Sequence, residues 1–232
     1  MIHSLRMTQF RRFTSSDAWA AAAVKDFLSL ARSFQGNTPM RICLAGGTSP
    51  IAVYRQLARA MASAVDEQGQ VLEYILVPGD ERIDVSNADQ RNETMLRSVF
   101  QELLDDGQAQ LLSWPDGPGS AYTMDAQLNE LTAEDGTLFD LCYLGIGADG
   151  HTAGLFPGYH KPLSGRTVDT IAPSHPYKRV SLTLEAIRAC KHTRFLVGSR
   201  RKEQALARFA DRDPSCIASG AITRDTVVFV LS

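Results

Sequence analysis

Only four cysteines occur in the 232 residues, Cys43, Cys142, Cys190 and Cys216, and no two of them form a C-x-x-C pair. That spacing excludes a dithiol redox motif. With Cys43 and Cys142 inside apolar runs, the thiols are expected to be reduced core groups of a cytoplasmic protein. A basic excess is also missing: 24 Lys and Arg against 26 Asp and Glu give a net charge of -2 and a pI of about 6.2. Neither nucleic acid nor an anionic membrane is therefore expected as a partner. No apolar run is long enough to span a bilayer, and the alanine-rich stretch Ala18–Val24 is cut short by Lys25 and Asp26, so it is not read as a secretory signal. The histidines, His3, His151, His160, His175 and His192, show no metal-ligand spacing, and no metal or other cofactor is expected. There is no G-x-S-x-G nucleophile elbow, no Gly-Lys-Ser/Thr phosphate loop, no internal repeat and no linker-like segment.

What is present is a chain that is 44% hydrophobic, enough for a sizeable core. Trp19, Ala23, Phe27, Leu30 and Phe34 recur at helical spacing over residues 16–34. Residues 40–45 (MRICLA) read as a short buried strand, followed by a helix carrying Ile51, Tyr54, Leu57 and Met61. Pro50 suits the first position of that helix, and Thr48 or Ser49 its cap. Further strands are expected at 71–77, 138–144, 179–182, 194–197 and 226–231. Helices are expected around 95–103, 122–131, 184–190 and 201–210, and a polar loop over 78–91. This alternation predicts an α/β fold, doubly wound and Rossmann-like: a mostly parallel sheet with helices on both faces, in a single domain over residues 1–232. In such sheets ligands sit beyond the carboxyl ends of the strands.

Three loops at strand ends are rich in glycine and polar residues. The first, Leu144–Gly158 (LGIGADGHTAGLFPG), fits the dinucleotide pattern G-x-G-x-x-G. That reading fails on three counts. Pro157 would stop a helix opening within the motif, Asp149 would face a pyrophosphate, and Asp169 sits in a loop-like segment, not at a strand end. The alternative is a turn that displays His151 beside the Asp149 carboxylate, with Gly145, Gly147 and Gly150 supplying backbone freedom. Such a pair suits a general base. The second loop, 45–50 (AGGTSP), runs from a strand into a helix N-terminus, where free N–H groups and the helix dipole favour a phosphate. The third, 79–82 (GDER), puts three charges at a strand end.

Together these loops resemble the signature of the 6-phosphogluconolactonases, G-x-G-x-D-G-H-T-A-S-L-F-P, with their phosphate and Asp-Glu-Arg loops. Residues 179–184 (RVSLTL) resemble the family's arginine strand, and 199–202 (SRRK) its late G-x-x-K stretch. The resemblance implies hydrolysis of 6-phospho-D-glucono-1,5-lactone to 6-phospho-D-gluconate in the oxidative pentose phosphate pathway, without a metal. It makes His151 the base, Asp149 its acidic neighbour and Arg82 an electrostatic group near the lactone. Phosphate and substrate contacts would fall on Gly46, Gly47, Thr48 and Ser49, with Asp80, Asn92, Arg179 and Lys202. The implied partner is a small phosphorylated sugar lactone, and the implied assembly a monomer or homodimer.

The chain departs from the family pattern at Asp84 (usually Pro), Arg91 (Ser), Gly154 (Ser), Glu185 (Pro) and Ser199 (Gly). Two other readings exist. A glucosamine-6-phosphate deaminase-like isomerase would carry a Glu shortly after D-G-H, and residues 152–158 contain no carboxylate. A non-catalytic sugar-phosphate sensor would lose the base, whereas His151 and Asp149 are present.

Overall fold

The computed structural model describes residues 8–35, 39–117, 119–158, 165–171, 177–198 and 200–232; Ser199, His3, His160 and His175 lie outside these. The elements run β1 Gln9–Phe13, α1 Ser16–Arg32, β2 Met40–Leu44, α2 Ile51–Met61, β3 Tyr74–Pro78, β4 Asp80–Ile83, α3 Asn92–Asp105 and β5 Ala109–Leu111. They continue α4 Ser120–Leu131, β6 Phe139–Leu144, β7 Thr167–Ile171, β8 Lys178–Leu182, α5 Leu184–Arg188, β9 Cys190–Val197, α6 Glu203–Ala210 and β10 Thr226–Leu231.

Seven strands pair in parallel in the order β1-β10-β9-β6-β2-β3-β5. The inner strands β3, β6 and β10 read as predominantly apolar runs because both of their faces are covered. Side chains alternate along β2: Ile42 and Leu44 enter the core beneath α1, α2 and α3, while Cys43 enters the core beneath α4, α5 and α6. Leu141 and Tyr143 of β6 divide from Cys142 and Leu144 in the same way. Each fully buried Leu, Val or Phe in these layers contributes about 1.5–3 kcal/mol of transfer free energy. The four cysteines are free and buried, as expected. Among the described residues no helix is long and apolar enough to cross a membrane.

The chain moves outward from β2 to β3 and β5, then returns to the other side of β2 with β6 and continues through β9 and β10. The connections leaving β2 and β6 therefore diverge, and a crevice opens at their carboxyl ends. The 45–50 and 145–151 loops flank it.

Residues 78–91, expected as a loop, contain β4, which pairs antiparallel with β8 in a separate three-stranded sheet, β4-β8-β7. The strand at 179–182 therefore exists but does not join the parallel sheet. The strand expected from Val71 begins at Tyr74, because Val71 is 60% exposed and only bridges Val65. The short edge strands β1, β5 and β7 were not foreseen; β1 is exposed along most of its length, so it carries no buried-strand pattern. Thr48 and Ser49 do not cap α2: the cap position is Pro50, with no side-chain hydrogen bond.

Candidate active site

The crevice is a cavity of about 490 Å³ with three walls. The β2 loop supplies Gly46, Gly47 and Ser49. The β6 loop supplies Gly145, Gly147 and His151. The small antiparallel sheet supplies Asp80, Arg82 and Arg179, with Asn92, Gln90 and Tyr177 beside them. Lys202 closes one side, and Leu144, Ile146 and Leu196 add apolar surface. Thr48 is exposed and outside the lining, and Asp149 stands behind His151.

The β6 loop is an Asp-centred turn. Asp149 Oδ1 accepts the backbone N–H of His151 at 3.1 Å and faces its ring Nδ1 at 2.6 Å. Gly147 N–H donates to His151 O at 2.8 Å, and the buried Thr152 hydroxyl donates to Gly145 O at 2.9 Å. The loop is thus tied at both ends. Burial pulls the Asp149 carboxyl up, but the hydrogen bonds and charge of His151 outweigh it and hold the group below the ordinary carboxylate value. An ionised Asp149 keeps the proton of a neutral ring on Nδ1 and makes Nε2 the basic nitrogen. Burial is also the largest influence on His151 and lowers its pKa. Asp149 and Asp80 pull upward without reversing it, and Arg179 adds to the lowering. The imidazole is therefore largely neutral, and able to act as a base, at neutral pH.

Of the three glycines credited with backbone freedom, only Gly150 has a positive φ, of 96°. Gly147 is required for a different reason. A Cβ there would lie 2.1 Å from His151 Nδ1 and 2.5 Å from Asp149 Oδ1. Gly147→Ala is expected to displace the imidazole; if His151 is the base, kcat falls on the order of 10²-fold, approaching loss of the side chain itself. Steady-state kinetics alongside a thermal melt would check this; an unchanged kcat in a folded variant would contradict it.

The three charges of Asp80-Glu81-Arg82 separate by strand alternation. Asp80 and Arg82 line the cavity. Glu81 points the other way and is fully buried. Arg179 stands opposite Arg82 in the β4–β8 register, and its Nη1 reaches diagonally to Asp80 Oδ2 at 2.7 Å, with both residues under 10% exposed. The Arg179 guanidinium also lies 5.6 Å from the centroid of the Phe156 ring, and the His151 ring lies 4.8 Å from it. Arg82 Nη1 donates to Gln90 O at 2.7 Å. Burial first, then the charge of Arg179, lowers the Arg82 pKa, with Asp80, Glu81 and Tyr177 opposing. Two guanidinium groups in register, with Asp80 hydrogen-bonded to one of them, form a wall with the chemistry to accept an anion.

Asn92 directs its amide hydrogens to Asp80, at 2.8 Å to the carbonyl and 3.2 Å to the carboxylate. Its carboxamide lies flat on Gly46, where a Cβ would overlap it at 2.1–2.3 Å. Asn92 thereby joins the β4 wall to the β2 loop. Lys202 is half-buried at the entry to α6, and burial holds its pKa below the ordinary lysine value.

Gln90 and Tyr177 were missed by sequence reading. Gln90 Nε2 donates to the Tyr177 hydroxyl at 2.7 Å, and both residues line the cavity. Eighty-seven positions separate them, and neither belongs to a motif.

Several departures from the family pattern have local explanations. Asp84 has φ 57°, which proline cannot adopt, and Lys178 pairs with its carboxylate at 3.0 Å. Arg91 spans Glu93, Asp116 and the Trp114 carbonyl. Gly154 is packed so closely that a Cβ would lie 2.9 Å from that of Ser181, whose hydroxyl accepts the Gly154 N–H at 2.9 Å. Glu185 occupies the first turn of α5, where a proline would also fit.

Comparison with known proteins agrees with this architecture. The family described as "Glucosamine-6-phosphate isomerases/6-phosphogluconolactonase" matches residues 14–228. A 6-phosphogluconolactonase of Mycobacterium leprae is 29% identical over 241 residues, covering 94% of this chain and 93% of that protein. One from Synechocystis sp. is 32% identical over 174 residues, covering 71% and 69%. The crystal structure of 6-phosphogluconolactonase from Thermotoga maritima superposes with a TM-score of 0.75 at 21% identity, covering 97% of this chain and all (100%) of that one. The chain belongs to the glucosamine-6-phosphate isomerase/6-phosphogluconolactonase family.

Proposed function

We propose that the chain is a 6-phosphogluconolactonase that opens 6-phospho-D-glucono-1,5-lactone with water. The observation that carries this reading is the 2.6 Å His151–Asp149 pair facing a cavity that also holds Arg82, Arg179 and Lys202. His151 Nε2 takes a proton from water as the water oxygen bonds to C1 of the lactone. Negative charge grows on the former carbonyl oxygen, where Arg82 or N–H groups of the β6 loop stabilise it. The tetrahedral intermediate then expels the ring oxygen from C1, and the imidazolium returns its proton to that oxygen, leaving an open-chain acid. Arg179, Lys202 and the β2 loop hold the phosphate and fix the carbonyl near His151. Asp149 keeps the imidazole in the required tautomer. No serine nucleophile is needed, because the lactone is already an activated ester.

Residues 152–158 offer no carboxylate for opening an amino-sugar ring, which favours the lactonase over a deaminase. The pH profile tests the role of the base. A His151 pKa below the ordinary value of about 6.5 should place the acid limb of kcat/KM below pH 6.5, with activity rising as pH rises and the base loses its proton. Asp149 raises that pKa, so Asp149→Asn should move the limb to still lower pH while reducing the plateau on the order of 10²-fold. The substrate phosphate also titrates near pH 6, but it does so equally in both enzymes, so the difference isolates His151. A limb that stays in place in Asp149→Asn would remove the pair from the mechanism. Ammonia release from glucosamine 6-phosphate without lactone hydrolysis would replace this reading with the deaminase.

A further inference from the structure

We infer that Glu81 is a positioning residue for the reaction proposed above, holding Arg82 and Asn92 in place from behind the wall. Its side chain is fully buried, on the face of β4 away from the cavity. The carboxylate accepts three backbone N–H groups: Arg82 N and Asn92 N at 2.7 Å each on Oε1, and Glu93 N at 2.8 Å on Oε2. Arg91 Nε lies 3.9 Å from Oε2 and is the nearest counter-charge.

Helix α3 begins at Asn92, and the residue at its cap position, Arg91, makes no side-chain capping bond. Glu81 takes over that task from a neighbouring strand. It satisfies the first two N–H groups of the helix at the positive end of its dipole; burial pushes its pKa up, and the three N–H groups and Arg91 act against that and favour the charged form. One carboxylate thus fixes the strand residue that carries the Arg82 guanidinium and the helix residue that carries the Asn92 carboxamide. Asn92 in turn holds Asp80, and Asp80 holds Arg179. Both cavity arginines depend on this buried group, although it touches neither the cavity nor either guanidinium.

The chemistry demands a carboxylate. Glutamine has the same shape, but its NH₂ cannot accept, so at least one of the three N–H groups loses its partner and the helix end loses its counter-charge. Charge-assisted bonds of this kind correspond to roughly a 10- to 100-fold change in the quantity they control.

The test is a mutant cycle on the full chain with the phosphorylated lactone, beside a thermal melt. Glu81→Gln is expected to lower kcat/KM about 10- to 100-fold in an enzyme that remains folded at the assay temperature. In an Arg82→Ala/Asn92→Ala background the same change should cost less than about threefold, because the groups it positions are already gone. Equal losses in both backgrounds, or a lower melting temperature with kcat/KM unchanged, would overturn the inference and leave Glu81 a purely structural cap. Should Glu81→Gln not fold, Glu81→Asp, which keeps the charge on a shorter arm, goes through the same cycle and is read in the same way. Absence of turnover by the wild type would instead count against the lactonase reading.

Discussion

His151→Asn is expected to lower kcat for the phosphorylated lactone by ~10²–10⁴-fold, the usual contribution of a general base, while leaving product affinity nearly unchanged. Three features support an effect of this size. The imidazole faces the cavity, its Nδ1 is committed to Asp149 at 2.6 Å, and burial lowers its pKa, which favours the unprotonated form that can take up a proton. Asparagine can occupy the same space and accept a hydrogen bond, but it cannot take a proton from water. The proposed phosphate contacts lie on other elements, so calorimetric binding of 6-phosphogluconate should survive the substitution. A folded His151→Asn variant with near wild-type kcat would mean that some other group activates water.

The second large effect concerns the substrate. Glucono-δ-lactone, which lacks the phosphate, should be hydrolysed with a kcat/KM on the order of 10³-fold or more below that of its 6-phosphate. The reacting carbonyl is the same, so the difference measures the anchor. Hydrogen bonds to charged groups are worth roughly 1.5–3 kcal/mol each, and two or three of them, only partly additive, give this range. The structural basis is that Arg179, Lys202 and the residues leading into α2 line the same cavity, and the cap position of α2 carries no side-chain bond; this is the proposed phosphate anchor. Lys202→Ala should narrow the gap by slowing only the phosphorylated lactone. Equal rates for the two lactones in the wild type would dissolve the phosphate assignment and point to a general esterase.

The parallel sheet was legible because several of its strands are predominantly apolar runs. Residues 40–45, which end at Gly46, and 226–231 show this most clearly, and both form strands with nearly those limits. The small sheet was not legible. Its strand β4 is Asp-Glu-Arg-Ile, which carries no apolar pattern because two of its side chains face a polar cavity and the third caps a distant helix. The candidate site was legible in most of its residues but not in its connections. His151, Arg82 and Arg179 were expected individually and line one cavity, with Asp149 hydrogen-bonded to His151. That Arg179 stands opposite Arg82, or that Glu81 serves the N-terminus of α3, depends on strand register and on side-chain direction within the fold. The glycine motif has two causes: Gly150 takes a left-handed backbone, as the sequence suggests, whereas Gly147 makes room for an imidazole and does not need one.

The most direct measurement is the half-life of freshly prepared 6-phosphoglucono-δ-lactone at neutral pH, followed by NMR with increasing amounts of purified protein. The lactone hydrolyses unaided, so the buffer rate is the reference. The half-life should shorten in proportion to protein concentration, with 6-phosphogluconate as the product. A half-life equal to that in buffer at every concentration would contradict the assignment of a lactonase centre at His151.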